Sequence, residues 1–424
     1  MACGEVVGAE TTKASRWAGL GKTIGPGIMY AGAAIGVSHL VQATRAGAGY
    51  GFGLVWVVLL VHLVKYPFFE FAHRYTAATG ESLLVGYRRI GRWALVMYMV
   101  VAFGLSIPTA AALTVVTAGM ASQLIPANLT SMNWAIILMF GCAVILATGG
   151  YPLLDRLMKV LMIFLAVCTL VAVIAAIGHG RVGQPDFEAP PLELGFLIAL
   201  MGWMPTPVDA SAWPSLWMQA RSEQTAYKPT VREALVDFKI GYFGSVVTAL
   251  MFLSLGAMVM YGSGDSFSTD PQGFAAQFVS MYTSALGAWS RPVVVIAAFI
   301  TMFSTTLTVL DGYPRVVATG CREVWPASEK AGRLPYWVVA TLMMGGALLI
   351  YKYLIGRMLA LVDFTMILAF LSAPVFAFLN YRVIKTGRMP TDARPPRWLY
   401  GLTWVGLLFF VAFSVAYLVW RLWR

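Results

Sequence analysis

The 424-residue chain is 59% apolar and only 12% charged, with a mean hydropathy of +0.74. Soluble domains carry about a quarter of their residues as charges, so a soluble globular enzyme is excluded and an all-α polytopic membrane protein is implied. The net charge of +11 is no nucleic-acid footprint, because the basic residues cluster in alternate connections between apolar stretches.

In chain order, residues 1–24 are a polar tail with Lys13, Arg16 and Lys22. They lack an apolar core ending at a small-residue cleavage site, so no cleavable signal peptide is expected. At about 20 apolar residues per crossing, hydropathy and Gly/Pro punctuation predict about eleven spans. These lie near 25–48, 53–73, 93–120, 133–149, 157–178, 194–219, 236–261, 289–311, 335–354, 358–381 and 399–422.

The first span breaks at Gly36-Val37-Ser38-His39 and the sixth at Met201-Gly202-Trp203-Met204-Pro205-Thr206-Pro207. Two prolines remove two backbone donors and disfavour helix at each preceding residue. Bared backbone at membrane depth is tolerated only inside protein or beside a polar cavity. Matching interruptions in two halves point to an inverted repeat of five plus five helices with a midplane site. The expected organisation is a tail over 1–24 and a core over 25–383, with repeats near 25–178 and 194–383. A loop and peripheral eleventh helix follow over 384–424.

Orientation follows from the basic residues. Arg74, Arg88, Arg89 and Arg92 share one face with Arg156, Lys159, Arg221, Lys228, Arg232, Arg315, Arg322, Lys330 and Arg333, and with Arg382, Lys385, Arg388, Arg394 and Arg397. Connections 121–133 and 263–287 have no positive charge, and 179–193 has only Arg181; Lys352 and Arg357 are the exceptions. The positive-inside rule puts the N-terminus in the cytoplasm of a cell membrane, with a bacterial inner membrane the expected setting. Cys3, Cys142, Cys168 and Cys321 show no CxxC or metal-ligand spacing.

The two breaks carry a family resemblance. Gly25-Pro26 opens the first span, and Ala46-Gly47-Ala48-Gly49-Tyr50-Gly51-Phe52 leads without a gap into Leu54-Val55-Trp56-Val57-Val58. Met204-Pro205-Thr206 matches a Met-Pro-His motif, and Ile240-Gly241-Tyr242 and the stretch 255–264 match a seventh helix. On these motifs the chain resembles the Nramp family of divalent-metal transporters, which implies a LeuT-like fold. The family's first motif is Asp-Pro-Gly-Asn, whose Asp and Asn ligate metal with the sixth-helix Met and a carbonyl three residues before it. Here those positions are Gly36, Val37, Ser38 and His39; Met204 survives, Met201 holds the carbonyl position, and Thr206 replaces histidine. No acidic residue lies between Arg92 and Asp155, where the resemblance implies third-helix carboxylates for proton movement.

A divalent cation leaving water needs charged or carbonyl oxygens, and Gly36 offers no side chain. The expected substrate is therefore a small solute other than manganese or iron, with no metal bound; a rebuilt ligand set would draw on His39, Met204 and Asp209. Gly36, Val37, Ser38, His39, Met201, Trp203, Met204, Thr206 and Asp209 form the candidate substrate site. Several of these residues have plainer roles. His39 is either a capping residue or a substrate-facing donor, and Asp209 either caps a helix or serves as counter-ion. Ser38, Gln42, Thr44 and Thr206 serve equally to repair the broken backbone. Trp203 is a candidate aromatic wall, while Trp213 and Trp217 read as structural. Glu70 and Arg74, four apart, form an ion pair or gate. Lys65 lies deeper and needs a partner, for which Asp311 and Asp363 are candidates; these five are the possible gating or coupling residues.

The expected function is alternating-access secondary transport of a small solute, with a coupling proton or ion, no cofactor and no catalytic group. A proton-coupled divalent-metal importer stays open as the alternative. A membrane-embedded enzyme lacks an HExxH motif or catalytic cluster. A channel lacks a filter-like repeat or charged ring.

Overall fold

The computed structural model describes residues 19, 21–125, 127–179, 189–262, 267–354, 357–386 and 389–423. Arg181, Arg388 and nearly all of the tail lie outside them. Among the described residues the fold is wholly helical, and nine helices are long and apolar enough to cross a membrane.

The first span is α1 (Pro26–Ala34), a π-helical turn over Ser38–Ala43, and α2 (Thr44–Tyr50). Its break is shorter than the sequence implies. Only Ile35 and Gly36 leave helical conformation, and Val37 to His39 have already resumed it. The wider π-turn absorbs the register change that an unwound loop would otherwise take up. α3 (Val55–Thr79) follows and ends at Gly80, in the left-handed region at φ 74°. A short amphipathic helix not expected from the sequence, α4 (Leu83–Ile90), buries Leu83, Leu84 and Tyr87 and leads into α5 (Arg92–Leu124).

The fourth and fifth spans were expected to be separated by a connection, but helix runs through them as α6 (Ser131–His179), with Pro152 inside. Its two apolar stretches, Ser131–Gly149 and Tyr151–Gly178, meet at Gly149-Gly150. Residues on both sides of the pair reach the arginine-rich face: Leu146 O accepts from Arg333, and Asp155 pairs with Arg221.

The sixth span is α7 (Leu194–Trp203), non-helical residues 204–207, a 3-10 turn over Val208–Ala212, and α8 (Trp213–Thr225). α9 (Val231–Val259) opens with a reciprocal capping box between Thr230 and Glu233. Another helix missed in the sequence, α10 (Pro271–Leu286), is capped by Asp270, whose carboxylate accepts from Gly273 N at 2.8 Å. Then come α11 (Arg291–Val324), α12 (Leu334–Leu354), α13 (Met358–Thr386) and α14 (Arg397–Leu422).

Close backbone approach locks the first span onto α9. A Cβ on Gly241 would fall 1.9 Å from Gly27 O, and one on Gly47 would fall 2.0 Å from Leu253 O. In lipid, where apolar burial drives little helix association, small residues at such crossings are what allow tight packing.

Candidate functional site

The two breaks face one another across a small cavity, and each is closed by a side chain from another helix. At the sixth span, α7 stops at Trp203 because Pro205 has no N–H to give Met201 O, its i−4 acceptor. Lys65 of α3 supplies the missing donors. Its Nζ lies 2.8 Å from Met201 O, 2.8 Å from Gly202 O and 3.1 Å from Thr206 O. An ammonium has three N–H donors, so three carbonyls satisfy it completely, and Lys65 is wholly buried. Asp209, also wholly buried, has neither carboxylate oxygen in close hydrogen-bond geometry, and the Tyr313 hydroxyl of α11 is the side-chain donor that acts on it. Lys65 acts on it as the opposite charge.

At the first break the plug is neutral. Thr305 Oγ1 of α11 lies 2.9 Å from both Gly32 O and Ile35 O. Gly36 is packed hard against it: a Cβ there would fall 2.4 Å from Thr305 Oγ1 and 2.7 Å from its Cγ2. The position therefore lacks not only a carboxylate but the space for one.

Between the plugs is a cavity of about 20 Å³, room for a water and nothing larger. Val37 and Ser38 line it from the first span, Trp203 and Thr206 from the sixth, all four anticipated from the sequence. Thr109 of α5, Thr305 and Tyr313 of α11, and Trp213 line it as well. Trp213 was expected to be structural like Trp217, but the 3-10 turn brings it to the cavity wall. No lining residue carries a formal charge. Trp203 and Trp213 have indole N–H groups without hydrogen-bond partners.

The other expected site residues are placed elsewhere. His39 is turned from the cavity toward α9, with Nε2 3.0 Å from Ser245 O and Nδ1 2.8 Å from Ser38 Oγ. The carbonyl requires Nε2 to carry the proton, leaving Nδ1 as acceptor. Met204 is buried away from the cavity wall, and Met201 contributes its carbonyl to Lys65. His39, Met204 and Asp209 are not among the residues lining the cavity, and no group of three His, Cys, Asp or Glu residues suited to a metal occurs among the described residues.

Asp311 and Asp363, candidate partners of Lys65, are each held by an arginine instead. Asp311 takes a bidentate pair from Arg315 one turn along its own helix, at 2.7 and 2.8 Å, plus Trp217 Nε1 at 3.1 Å and Tyr336 at 3.2 Å. Asp363 sits toward the opposite face, 2.7 Å from Arg45 and 2.5 Å from Gln42 Nε2. Gln42 thus serves an ion pair rather than the broken backbone. Arg45 also lies over the Phe196 ring of α7 at 5.2 Å. On the arginine-rich face, Asp237 of α9 caps the start of α1, accepting from Gly25 N at 3.1 Å and Gly27 N at 2.7 Å. Glu70 and Arg74 pair at 2.6 Å, and Arg74 reaches Ala393 O at 3.1 Å, outside the cavity. Arg45, Asp237, Thr305 and Tyr313 were not singled out in the sequence. A run of hydroxyls in one apolar span, Ser304, Thr305, Thr306 and Thr308, was the available signal for the third.

Two broken helices facing each other across a cavity inside an all-helical bundle are the hallmark of the LeuT-like fold. Residues 27–420 match the model of the Nramp family, natural resistance-associated macrophage protein-like, and the chain belongs to that family. A Pasteurella multocida protein described as uncharacterized is 35% identical over 415 residues, covering 95% of this chain and 93% of that one. In fold, the chain is similar to the Eremococcus coleocola manganese transporter solved with an aromatic bis-isothiourea compound, with a TM-score of 0.73 at 13% identity, covering 95% and 87% of the two chains. It is also similar to Mhp1, a nucleobase-cation-symport-1 family transporter closed around bromovinylhydantoin, with a TM-score of 0.60 at 15% identity, covering 93% and 91%. MhsT in complex with L-phenylalanine gives a TM-score of 0.60 at 13% identity, covering 92% and 97%.

Proposed function

We propose that this Nramp-family chain is a secondary active transporter of a small organic solute rather than of manganese or iron, and not an enzyme. The observation that carries this is Thr305 packed into the space of a Gly36 side chain, within 2.4 Å of where its Cβ would lie. A first-helix carboxylate at this position would require the Thr305 side chain to give way. The cavity wall beyond it is uncharged, and a bare divalent ion in such a wall would recover little of its hydration energy.

Two unpartnered indole N–H groups suit a solute that brings acceptors, and the rings suit a flat apolar body. Fold relatives that hold a hydantoin and phenylalanine support the use of such an architecture for organic solutes. Alternating access would move the first and sixth spans, breaking the Asp237 cap on the cytoplasmic side and the Arg45–Asp363 pair on the outer side. The core over 25–383, built as two repeats, would provide both the moving pair and the scaffold, with the N-terminus in the cytoplasm and a proton or ion as driving partner.

Family membership and the manganese-transporting fold relative favour a second reading, proton-coupled metal import. Proteoliposome uptake separates the two. The expected result is gradient-driven uptake of an organic solute found by ligand-induced thermal shift, abolished by Trp203→Ala, with no saturable Mn²⁺ uptake. Saturable Mn²⁺ uptake abolished by Met204→Ala would establish the metal reading instead.

A further inference from the structure

The sixth-span break is a cation site in everything but its occupant. Three backbone carbonyls, Met201 O, Gly202 O and Thr206 O, converge on one point, and a wholly buried carboxylate, Asp209, follows three residues after Thr206 in the 3-10 turn, with the Tyr313 hydroxyl the one side-chain donor acting on it. The convergence follows from sequence. Pro205 cannot return a hydrogen bond to Met201 O, and residues 204–207 are non-helical, so Gly202 O and Thr206 O lie outside any helical ladder. In half-helix transporters, such unwound carbonyls coordinate ions.

We propose that Lys65 is a tethered cation that permanently fills this site, and that removing its ammonium uncovers a binding site for a small monovalent cation. The contact geometry supports an ammonium rather than a neutral amine. Three carbonyl acceptors within 3.1 Å match the three N–H donors of an ammonium, whereas a neutral amine has two and would turn its lone pair toward an acceptor. Charge supports it too: one ammonium and one carboxylate sum to zero in a region that tolerates little net charge. A second cation beside Lys65 would leave the site positive. The site without Lys65 would be negative and lined with oxygens, the donor type that hard cations select. Lys65 therefore determines ion specificity by occupancy, excluding Na⁺, K⁺ and divalent ions from the sixth-span carbonyls. The proposal shares its site with the non-metal reading above and deepens it, but its readout is cation-dependent stability and involves no transport.

The test uses the full chain in lipid nanodiscs, comparing wild type, Lys65→Ala and Lys65→Ala/Asp209→Asn by thermal unfolding in choline chloride, NaCl, KCl, MnCl2 and n-propylammonium chloride. The expected result is a wild-type Tm indifferent to the cation. Lys65→Ala should be destabilised in choline and regain on the order of 5 °C, saturably, with Na⁺ or n-propylammonium. The response should vanish when Asp209 is also neutralised. Three results would overturn the proposal: a Lys65→Ala protein as stable in choline as in any other salt, one that stays unfolded in every cation supplied, or a wild type stabilised by Na⁺ as strongly as the variant. Mn²⁺ uptake by wild type would end the non-metal reading and leave this readout standing.

Discussion

The two breaks solve one problem with different chemistry. Both bare backbone carbonyls at membrane depth, and both borrow donors from a neighbouring helix. The first uses a hydroxyl: the single O–H of Thr305 is shared between Gly32 O and Ile35 O. The second uses an ammonium: Lys65 serves three carbonyls and answers the buried Asp209. The difference tracks the severity of the break. At the first span only Ile35 and Gly36 leave the helix before the π-turn restores the ladder. At the sixth, two prolines keep residues 204–207 out of helix, and a single hydroxyl could not serve all the freed acceptors. A neutral plug beside a glycine and a charged plug beside an acid flank a cavity whose lining residues carry no formal charge.

The largest expected effect comes from forcing a charge into the neutral break. Gly36→Asp restores a carboxylate at the first span, but its Cβ would overlap Thr305 and its charge would have no partner. A loss of about 3–5 kcal/mol is expected, read as a large fall in Tm in nanodiscs. Calorimetry should show no Mn²⁺ binding to the folded fraction. Tight Mn²⁺ binding to Gly36→Asp alone would mean that the acid was the sole missing element. Thr305→Val is the milder insult to the same break: it keeps the shape and removes the one O–H that Gly32 O and Ile35 O share, at a cost of about 1–3 kcal/mol. Chemical denaturation should place it between wild type and Gly36→Asp.

Much of this contrast was written in the residues. The breaks were visible because Gly36 and the Pro205/Pro207 pair interrupt apolar runs of spanning length, and the spans because hydropathy is local. What sequence could not supply was which distant side chain repairs which carbonyl. Lys65 and Met201 are 136 residues apart, and the rule that intramembrane charges face a partner or a cavity points to Asp311 and Asp363 as candidates. Backbone carbonyls carry no letter in a sequence, so their claim on Lys65 went unseen. Helices α4 and α10 were missed for another reason: each is too short or too polar for a spanning-length hydropathy signal. Trp213 was misjudged because its direction depends on the 3-10 turn over Val208–Ala212, which periodicity at 3.6 residues does not anticipate.

The two ends of the first span extend the comparison to opening. On the arginine-rich side, Asp237 holds two amides of α1 from a buried position, the geometry of a helix N-cap supplied by another helix. Asp237→Asn keeps one acceptor and turns an amide donor toward the other N–H. A cost of about 1–2 kcal/mol is expected, with α1 released, which trypsin cleavage after the exposed Lys22 would report. Unchanged cleavage would show that the cap does not hold α1.

At the other end the Arg45–Asp363 pair is partly open to solvent, its side chains 18% and 29% exposed. Screening limits such pairs to less than about 1 kcal/mol, so Asp363→Asn should barely move Tm. Its effect should be on opening rate: a cavity-lining Val37→Cys, in a cysteine-free background, should react several-fold faster with an impermeant thiol reagent applied from the Arg45 side, since ~1 kcal/mol is about a fivefold population change. Arg45→Asp/Asp363→Arg should slow the reaction back toward the wild-type rate if attraction between the two charges is the latch. A swap that labels as fast as the single variant would assign the closure to packing of Arg45 on Phe196, leaving charge at this end as incidental as it is essential around Lys65.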